Sequence, residues 1–520
     1  MKQRMLLLLL SFALALSLCA CAAQTVEQRT QGTAASEAEP GSSDSTETTV
    51  TFTAGAASIM GSGCKADGAA VTISESGTYR LTGSCEDGSV TVKKRTTGVR
   101  LILDSLTLTS ADSACIVCGK GSEVTIEAAS GTHSTLCDTE RNNNDTYPSN
   151  DNAESAVIKC KDGSQVTFCG TGTLTITANG KNGVKSGAST TEDGEASLTI
   201  RELTLLIDAP VNDAINAGQT VSIESGSLTI SAGDDAIHCD YVMQIGADGT
   251  DGPSISITDC YEGLEAAELL IASGDLVIRA SDDCLNAANS DLIGFAFSIS
   301  ISGGTIDAYT IAGDGFDSNG SLAISGGEIR VWTANTADNQ PLDADGTITI
   351  TGGTVLAAGG SAGMGMNLST AQPYVRFGQT GGMRQPGTDS DALVNAGETL
   401  AIADGSDMFF SAEAPCDVRF VFFCAPTVTT GSPYTLLANG ESTGGAEAQT
   451  EDSESGPGGM PDARSGFGPN GAEPPERPAG QAPSEPPDAS SMPDRSDGQT
   501  PPEKPDTAPE PPDGEPDGSL

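Results

Sequence analysis

Apolar and polar residues alternate along many short segments of this 520-residue chain. Segments such as 299–306, 322–329 and 348–355 place apolar residues at every second position and are interrupted by Ser-Gly-Gly or Thr-Gly-Gly. A period of two is typical of half-buried β-strands, and paired glycines permit the positive φ angles of tight turns. The pattern predicts many short strands joined by turns and almost no helix.

A four-residue motif recurs between these strands. It consists of an acidic or amide residue, any residue, an apolar residue and a polar residue, and its seven copies follow one another at intervals of 21 to 31 residues. Such repeats are typical of stacked solenoid coils. The sequence therefore predicts an all-β fold, a right-handed parallel β-helix (solenoid) over residues 50–384, with the apolar motif residue pointing inward. A β-sandwich is the competing fold, but it does not explain seven copies of one loop motif.

The motif also predicts two rows of polar side chains, because equivalent residues on successive coils stack about 4.8 Å apart. The first motif positions form the first ladder: Asn182, Asp213, Asp235, Glu262, Asp283, Asp314 and Gln340. The fourth motif positions form the second ladder: Lys185, Asn216, His238, Glu265, Asn286, Asp317 and Asp343.

Neighbouring carboxylates in these ladders repel one another unless a cation neutralises them. Calcium suits this role because it accepts roughly six to eight oxygen ligands with loose geometry. We therefore expect bound Ca²⁺, with candidate ligands in both ladders and beside them: Asp213, Asp234, Asp235, Glu262, Glu265, Asp282, Asp283, Asp314, Asp317 and Asp343. The alternative for any one of them is a solvated turn residue. His238 is either a transition-metal ligand or a structural histidine.

Charge narrows the classes of partner. The chain has 25 basic and 71 acidic residues, a formal net charge of −46, which excludes a nucleic-acid partner because phosphate binding needs a basic surface. Lys185 is the one weak candidate for a catalytic base, of the kind that polysaccharide lyases use beside a uronate carboxylate. A lyase cleft normally presents several cations, whereas these ladders are acidic, so the sequence favours a binding protein over an enzyme. No cofactor other than Ca²⁺ is expected.

The first residues predict export and a lipid anchor. Two basic residues precede an apolar run that is too short for a membrane span, which is typical of a signal peptide. Residues 18–21 read Leu-Cys-Ala-Cys and resemble a bacterial lipobox with Cys21 as the lipidated residue, Cys19 being the poorer match. We expect a signal peptide over 1–21, a flexible tether over 22–49, and a protein on the extracellular face of the bacterial cell membrane that contacts the membrane through its anchor alone.

The C-terminal part divides by composition. Residues 385–440 predict a small cap of antiparallel strands, and residues 441–520, rich in proline, glycine and acidic residues, predict a disordered tail because they cannot build a core. The 14 cysteines have no spacing typical of a disulfide scaffold or a zinc site, so no pairing is assigned. We expect a monomer.

The motifs in order also resemble a known family. Over about residues 50–436 the chain resembles the clostridial carbohydrate-binding β-helix family, typified by a cell-surface cellulose- and pectin-binding protein, through segments 182–186, 234–238, 261–266, 282–287 and 313–320. The resemblance implies a parallel β-helix similar to polysaccharide lyases, bound calcium, and binding of plant cell-wall polysaccharide such as polygalacturonate. The calcium role carries over to Asp235, Glu262, Asp283, Asp314 and Asp317 as matched motif positions.

Three functions follow from these observations. The leading hypothesis is a cell-surface lipoprotein that binds an acidic polysaccharide, such as polygalacturonate, or cellulose through a calcium-loaded β-helix. The second is a calcium-dependent polysaccharide lyase using Lys185. The third is a structural surface or spacer protein whose ions only hold the coils together.

Overall fold

A computed structural model of the chain describes residues 47–334, 339–360, 368–378, 392–405 and 407–450. The signal peptide with Cys21, most of the tether, and the tail from residue 451 onward lie outside the described residues. The described residues are β-strands joined by turns, without a helix. Within this part of the chain, no helix has the length and apolar character needed to cross a membrane.

The strands are short, and most have between three and seven residues. In chain order they are β1 Thr48–Thr53, β2 Ala56–Met60, β3 Cys64–Asp67, β4 Ala70–Ile73, β5 Gly77–Cys85, β6 Ser89–Val92, β7 Val99–Ser110, β8 Ile116–Cys118, β9 Glu123–Ala128, β10 His133–Asp138, β11 Ala156–Cys160, β12 Gln165–Gly170, β13 Thr173–Thr177, β14 Asn182–Ser186, β15 Ser197–Ile200, β16 Thr204–Ala209, β17 Ile215–Ala217, β18 Thr220–Ile223, β19 Ser227–Ala232, β20 Ile237–Ile245, β21 Ser254–Asp259, β22 Leu264–Ile271, β23 Asp275–Ala280, β24 Leu285–Ala287, β25 Ser298–Ile301, β26 Thr305–Thr310, β27 Phe316–Ser318, β28 Ser321–Ile324, β29 Glu328–Thr333, β30 Ile348–Ile350, β31 Thr354–Gly359, β32 Leu368–Thr370, β33 Tyr374–Gly378, β34 Thr399–Asp404, β35 Asp407–Glu413, β36 Phe420–Cys424, β37 Pro433–Ala438 and β38 Glu441–Glu447.

Most of these strands belong to one large, mainly parallel sheet of 34 strands. In its repeated part, a strand typically pairs in parallel with the strand three further along the chain. The parallel pairings therefore fall into three series, and the chain contributes one strand to each series before it returns to the first. In β14 to β19, for example, β14 pairs with β17, β15 with β18 and β16 with β19. Strands β20 and β22 are long enough to take part in two series each.

The apolar residue of every motif copy is buried, as the sequence predicts. Each is at most 1% exposed and belongs to one continuous hydrophobic core: Val184, Ile215, Ile237, Leu264, Leu285, Phe316 and Leu342. Because alternate residues of a strand point to opposite faces, burial of this residue turns its polar neighbour outward. The core therefore fixes which side chains of the repeat reach solvent.

Antiparallel strands form the C-terminal part. Strand β36 lies between β31 and β33 and pairs antiparallel with both, while β34, β35, β37 and β38 form a separate antiparallel sheet. A second hydrophobic cluster joins Trp332 and Leu356 of the large sheet to Tyr434 and Leu436 of the small one. The sheet extends past residue 440, where the change in composition suggests a boundary, because β38 pairs along β37.

Candidate functional site

The second ladder is a continuous row of in-register residues. Cα pairing between neighbouring parallel strands links Lys185 to Asn216, Asn216 to His238, and His238 to Glu265. The row continues through Asn286 to Asp317, and a bridge between Phe316 and Leu342 brings Asp343 next to it. The stacking that the motif predicts is therefore present at each of its seven positions.

The first ladder is stacked by backbone hydrogen bonds. The N–H of Gly183 donates to the carbonyl of Asp213 at 3.1 Å, and the N–H of Ala214 donates to that of Asp235 at 3.1 Å. The same bond links each later pair of motifs, ending with the N–H of Gly315 and the carbonyl of Gln340 at 3.0 Å. The first motif residues thus follow one another at the spacing of neighbouring strands.

Several first-ladder side chains also hold the backbone. Oδ1 of Asp213 accepts the N–H of Asp235 at 3.3 Å while its Oδ2 accepts the amide of Asn216 at 2.5 Å. Oδ1 of Asp283 accepts the N–H of Asp314 at 2.6 Å. Since both oxygens of Asp213 are engaged, this residue fits a structural role better than a metal-binding one.

Two groups of side chains bring three possible metal ligands together. In Asp235, His238 and Glu265, and again in Asp314, Asp317 and Asp343, one ligand atom of each residue lies within 4.8 Å of the other two. We call these groups the histidine cluster and the aspartate cluster. Each contains residues from both ladders, which the sequence places on successive coils but cannot orient.

The histidine cluster carries its own cation. Nδ1 of His238 contacts Oε2 of Glu265 and lies 3.4 Å from Oδ2 of Asp235, while Nε2 lies 3.1 Å from Oδ1 of Asp240. Burial would lower the pKa of His238, but hydrogen bonds to these three carboxylates outweigh it and raise the pKa to about 12. The charge of the protonated imidazole is therefore balanced by carboxylates of its own cluster, and His238 fits the structural role.

In the aspartate cluster, Asp317 and Asp343 have no such basic neighbour among the described residues. Burial, followed by the nearby charges of Asp343 and Asp345, raises the pKa of Asp317 to about 6. Burial likewise raises the pKa of Glu262 and of Asp283 to about 8 each. The acidic end of the ladders consequently favours any state in which a proton or a cation reduces its negative charge.

Two buried amide oxygens lie among these carboxylates without a hydrogen-bond partner. They are Oδ1 of Asn286, which is 8% exposed, and Oε1 of Gln340, which is 4% exposed. The amide nitrogen of Asn286 donates to Oε2 of Glu262 at 2.9 Å, so its oxygen is the atom left over. Amide and carboxylate oxygens are the ligands that calcium prefers, and an unpaired buried oxygen is costly. The donor set fits a hard divalent cation.

The remaining candidate ligands lie at the edge of the ladders. Asp234 is exposed, and Asp282 accepts a hydrogen bond from the hydroxyl of Tyr261. The Tyr261 ring is 48% exposed directly before Glu262, whereas Trp332 is buried in the second cluster. Tyr261 is therefore a large aromatic side chain exposed to solvent beside the acidic side chains.

The second ladder also extends beyond its first motif copy, to a residue that the motif does not reveal. Lys159 on β11 pairs in register with Lys185 on β14. The segment Ile158-Lys159-Cys160 has the apolar, polar and small residues of the later copies, but Ala156 replaces the acidic first position. A search for the apolar–polar–small pattern alone would have found it.

Comparisons with known proteins place the chain in a family. The model of the carbohydrate-binding domain-containing protein family matches residues 67–365. A solved structure entitled "polysaccharide lyase-like protein from C. thermocellum", a gadolinium derivative, is 21% identical over 58% of this chain and 96% of that chain, with a TM-score of 0.37. A comparison with curated proteins finds no match. Because the family model covers more than half of the sequence, the chain belongs to the carbohydrate-binding domain-containing protein family.

Proposed function

We propose that this protein binds an acidic polysaccharide, of which polygalacturonate is the best candidate, through a calcium-loaded surface formed by the acidic ends of both ladders. Family membership supports polysaccharide binding in general. The observation that carries the specific proposal is the stacked row of half-buried carboxylates with two unpartnered amide oxygens among them. The aspartate cluster and the amide oxygens of Asn286 and Gln340 are the groups that would hold the ion.

Bound calcium would allow an acidic protein to bind an acidic polymer. Bound calcium would supply positive charge shared between carboxylates of the protein and of the glycan. The protein's own residues fix the carboxylates, half-buried, at the spacing of neighbouring strands along one row. The exposed ring of Tyr261 adds an apolar surface with a polar tip beside Glu262, which suits the mixed faces of a sugar ring.

We further infer that the three parallel series are the three faces of a right-handed β-helix. Support comes from the chain's regular visits to each series and from the single continuous core that the inward residues form. Such a solenoid would present both ladders as straight rows along its axis. A long polymer could then contact several layers at once.

The proposed setting is the extracellular face of the cell membrane, with the protein held as a monomer by a lipid on Cys21. The signal-peptide pattern and the lipobox-like residues 18–21 support it. A flexible segment after the anchor would let the binding surface reach a polymer outside the cell.

Retention on immobilised polygalacturonate, with calcium and with EDTA, tests the proposal. We expect retention in calcium and its loss in EDTA. Asp317→Asn should weaken calcium binding by roughly 10-fold or more, because affinity follows the number of charged ligands. Asp275→Asn is the matched control, since Asp275 is exposed at the start of β23 and outside both ladders.

Two results would contradict the proposal. Full retention in EDTA would show that calcium does not join the protein to the glycan. A rise in melting temperature with calcium, without retention on either polygalacturonate or cellulose, would instead assign the ions a purely structural role.

A further inference from the structure

Two lysines lie side by side at the N-terminal end of the second ladder. Lys159 and Lys185 are Cα partners on the neighbouring parallel strands β11 and β14, a separation of about 4.8 Å. Both side chains are partly exposed. Their backbone positions hold two ammonium groups on one face, next to Asn216 in the same row.

The carboxylates around this pair are already engaged by other lysines. Glu154 binds Lys161 at 2.6 Å between the charged atoms. The other two nearby pairs are Asp145 with Lys181 at 2.5 Å and Asp162 with Lys120 at 2.7 Å. Within the described part of the chain, neither Lys159 nor Lys185 forms an ion pair. Two lysines without an ion-pair partner among the described residues therefore lie next to each other. This is unexpected in a chain that has 71 acidic and 25 basic residues.

The surroundings of Lys159 disfavour its positive charge. Burial, and then the charge of Lys185, lowers the pKa of Lys159. Like charges at this separation repel, and an oxyanion between them would receive charge-assisted hydrogen bonds from both. The pair has the form of an anion-binding site.

The pair is reachable from the surface. Lys159 and Lys185 are both of intermediate exposure, so neither side chain is enclosed by the fold. Beyond Lys159 the row continues with Val117 and Thr91. These two residues line a separate cavity whose other lining residues are mostly polar and acidic, among them Asp112 and Glu154. In the other direction the row runs through Asn216 and His238 to the acidic residues. From Lys185 to Glu265 is three strand steps, or about 14 Å.

We propose that Lys159 and Lys185 bind a carboxylate of the glycan directly, without a metal ion. The inference rests on the proposed function and names the substrate class as a polymer with repeated carboxylates, a polyuronate. Such a polymer would meet two kinds of site on one row, ammonium groups at one end and metal-loaded carboxylates at the other. A neutral polymer has no group for the lysine pair.

The test is the affinity for a defined oligogalacturonate and for a neutral cello-oligosaccharide, measured by calorimetry in excess calcium. We expect K159Q/K185Q to bind oligogalacturonate roughly 10-fold or more weakly, because charged hydrogen bonds are lost. Its calcium affinity should be unchanged. Lys159→Arg/Lys185→Arg keeps both positive charges and should retain most of the binding. It shows whether substitution at these two positions disturbs the fold even when the charges are kept.

The control is K181Q, which removes one positive charge from a neighbouring lysine that is already paired with Asp145. It should change the affinity less than twofold, as expected for a surface ion pair.

The outcomes separate this inference from the proposed function. Undiminished oligogalacturonate binding by K159Q/K185Q, or an equal loss for the neutral oligosaccharide, overturns the lysine site while calcium-dependent binding stands. A similar loss in K181Q also overturns it, because general charge would then explain the effect. If the unmodified protein binds neither oligosaccharide in calcium, both proposals fail.

Discussion

The carboxylates of this protein differ in what their oxygens contact, and this difference separates structural residues from candidate ligands. Asp138 is buried, yet its Oδ1 accepts the N–H groups of Asn179 at 2.7 Å and Gly180 at 3.0 Å, and its Oδ2 accepts the amide of Asn142 at 2.8 Å. Burial still raises the pKa of Asp138, to about 6. Among the described residues, Glu262 accepts a hydrogen bond from one donor, the amide of Asn286, and its pKa rises further, to about 8. A buried carboxylate that accepts fewer hydrogen bonds gains more from an external cation.

This difference predicts how stability depends on pH when calcium is absent. A carboxyl group whose pKa is higher in the folded state than in the unfolded state binds its proton more tightly when folded, so stability falls as pH rises between the two values. For Glu262 and Asp283 the ordinary values are 4.5 and 3.8 and the folded values are both about 8. The melting temperature in EDTA should therefore fall steadily from about pH 4 to about pH 8, and calcium should reduce the fall.

The control is Glu262→Gln/Asp283→Asn, which replaces the two acids by neutral groups of similar shape. Its melting temperature in EDTA should vary less with pH over the same range. A profile as steep as that of the unmodified protein would show that other groups cause the dependence.

At the scale of the strand, each motif copy packs its second residue against the next layer. A Cβ on Gly263 would lie 2.3 Å from the carbonyl oxygen of Cys284 and 2.7 Å from Cγ2 of Ile278. Gly183 and Gly315 are equally confined. Other copies have alanine, cysteine or proline at this position. The space available to a Cβ at the second motif position therefore differs from one copy to the next.

Gly263→Ala should therefore destabilise the fold by about 1–3 kcal/mol, the usual cost of overpacking. The added methyl group meets backbone, which cannot move aside as a flexible side chain would. Urea unfolding measures the change. Gly445→Ala is the control, since its Cβ would have its nearest neighbour at 3.8 Å, and a loss as large for Gly445→Ala as for Gly263→Ala would contradict the explanation.

The sequence predicts the strands, the inward residues and the register of both ladders, because these follow from periodicity and from repeated spacing. It does not predict that His238 contacts three carboxylates, because Asp240 lies outside the motif and the sequence pattern does not give the direction of side chains. Lys159 is missed because Ala156 breaks the motif. The β38 strand is missed because its residues, rich in Gly, Ser and Glu, gain their conformation from pairing with β37.

At the scale of the whole molecule, the second ladder changes sign along its length. Lys159 and Lys185 lie at one end, His238 with its carboxylates in the middle, and the aspartate cluster at the other end. A net charge of −46 by itself argues against a nucleic-acid partner but does not locate a binding surface. The arrangement of these charges in rows is what distinguishes the second ladder from a uniformly acidic surface, and the proposed binding of cations and of a polyuronate rests on it.

Coupling between calcium binding and glycan binding tests the calcium-bridged surface most directly. If both bind one surface, oligogalacturonate must raise the calcium affinity of the protein by the same factor by which calcium raises its oligogalacturonate affinity. We predict a factor of roughly 5 or more, measured by calorimetry against a titration of calcium into the glycan alone, and a clear decrease in Asp317→Asn. Calcium and glycan affinities that are independent of each other would show that calcium does not bridge the protein and the polysaccharide.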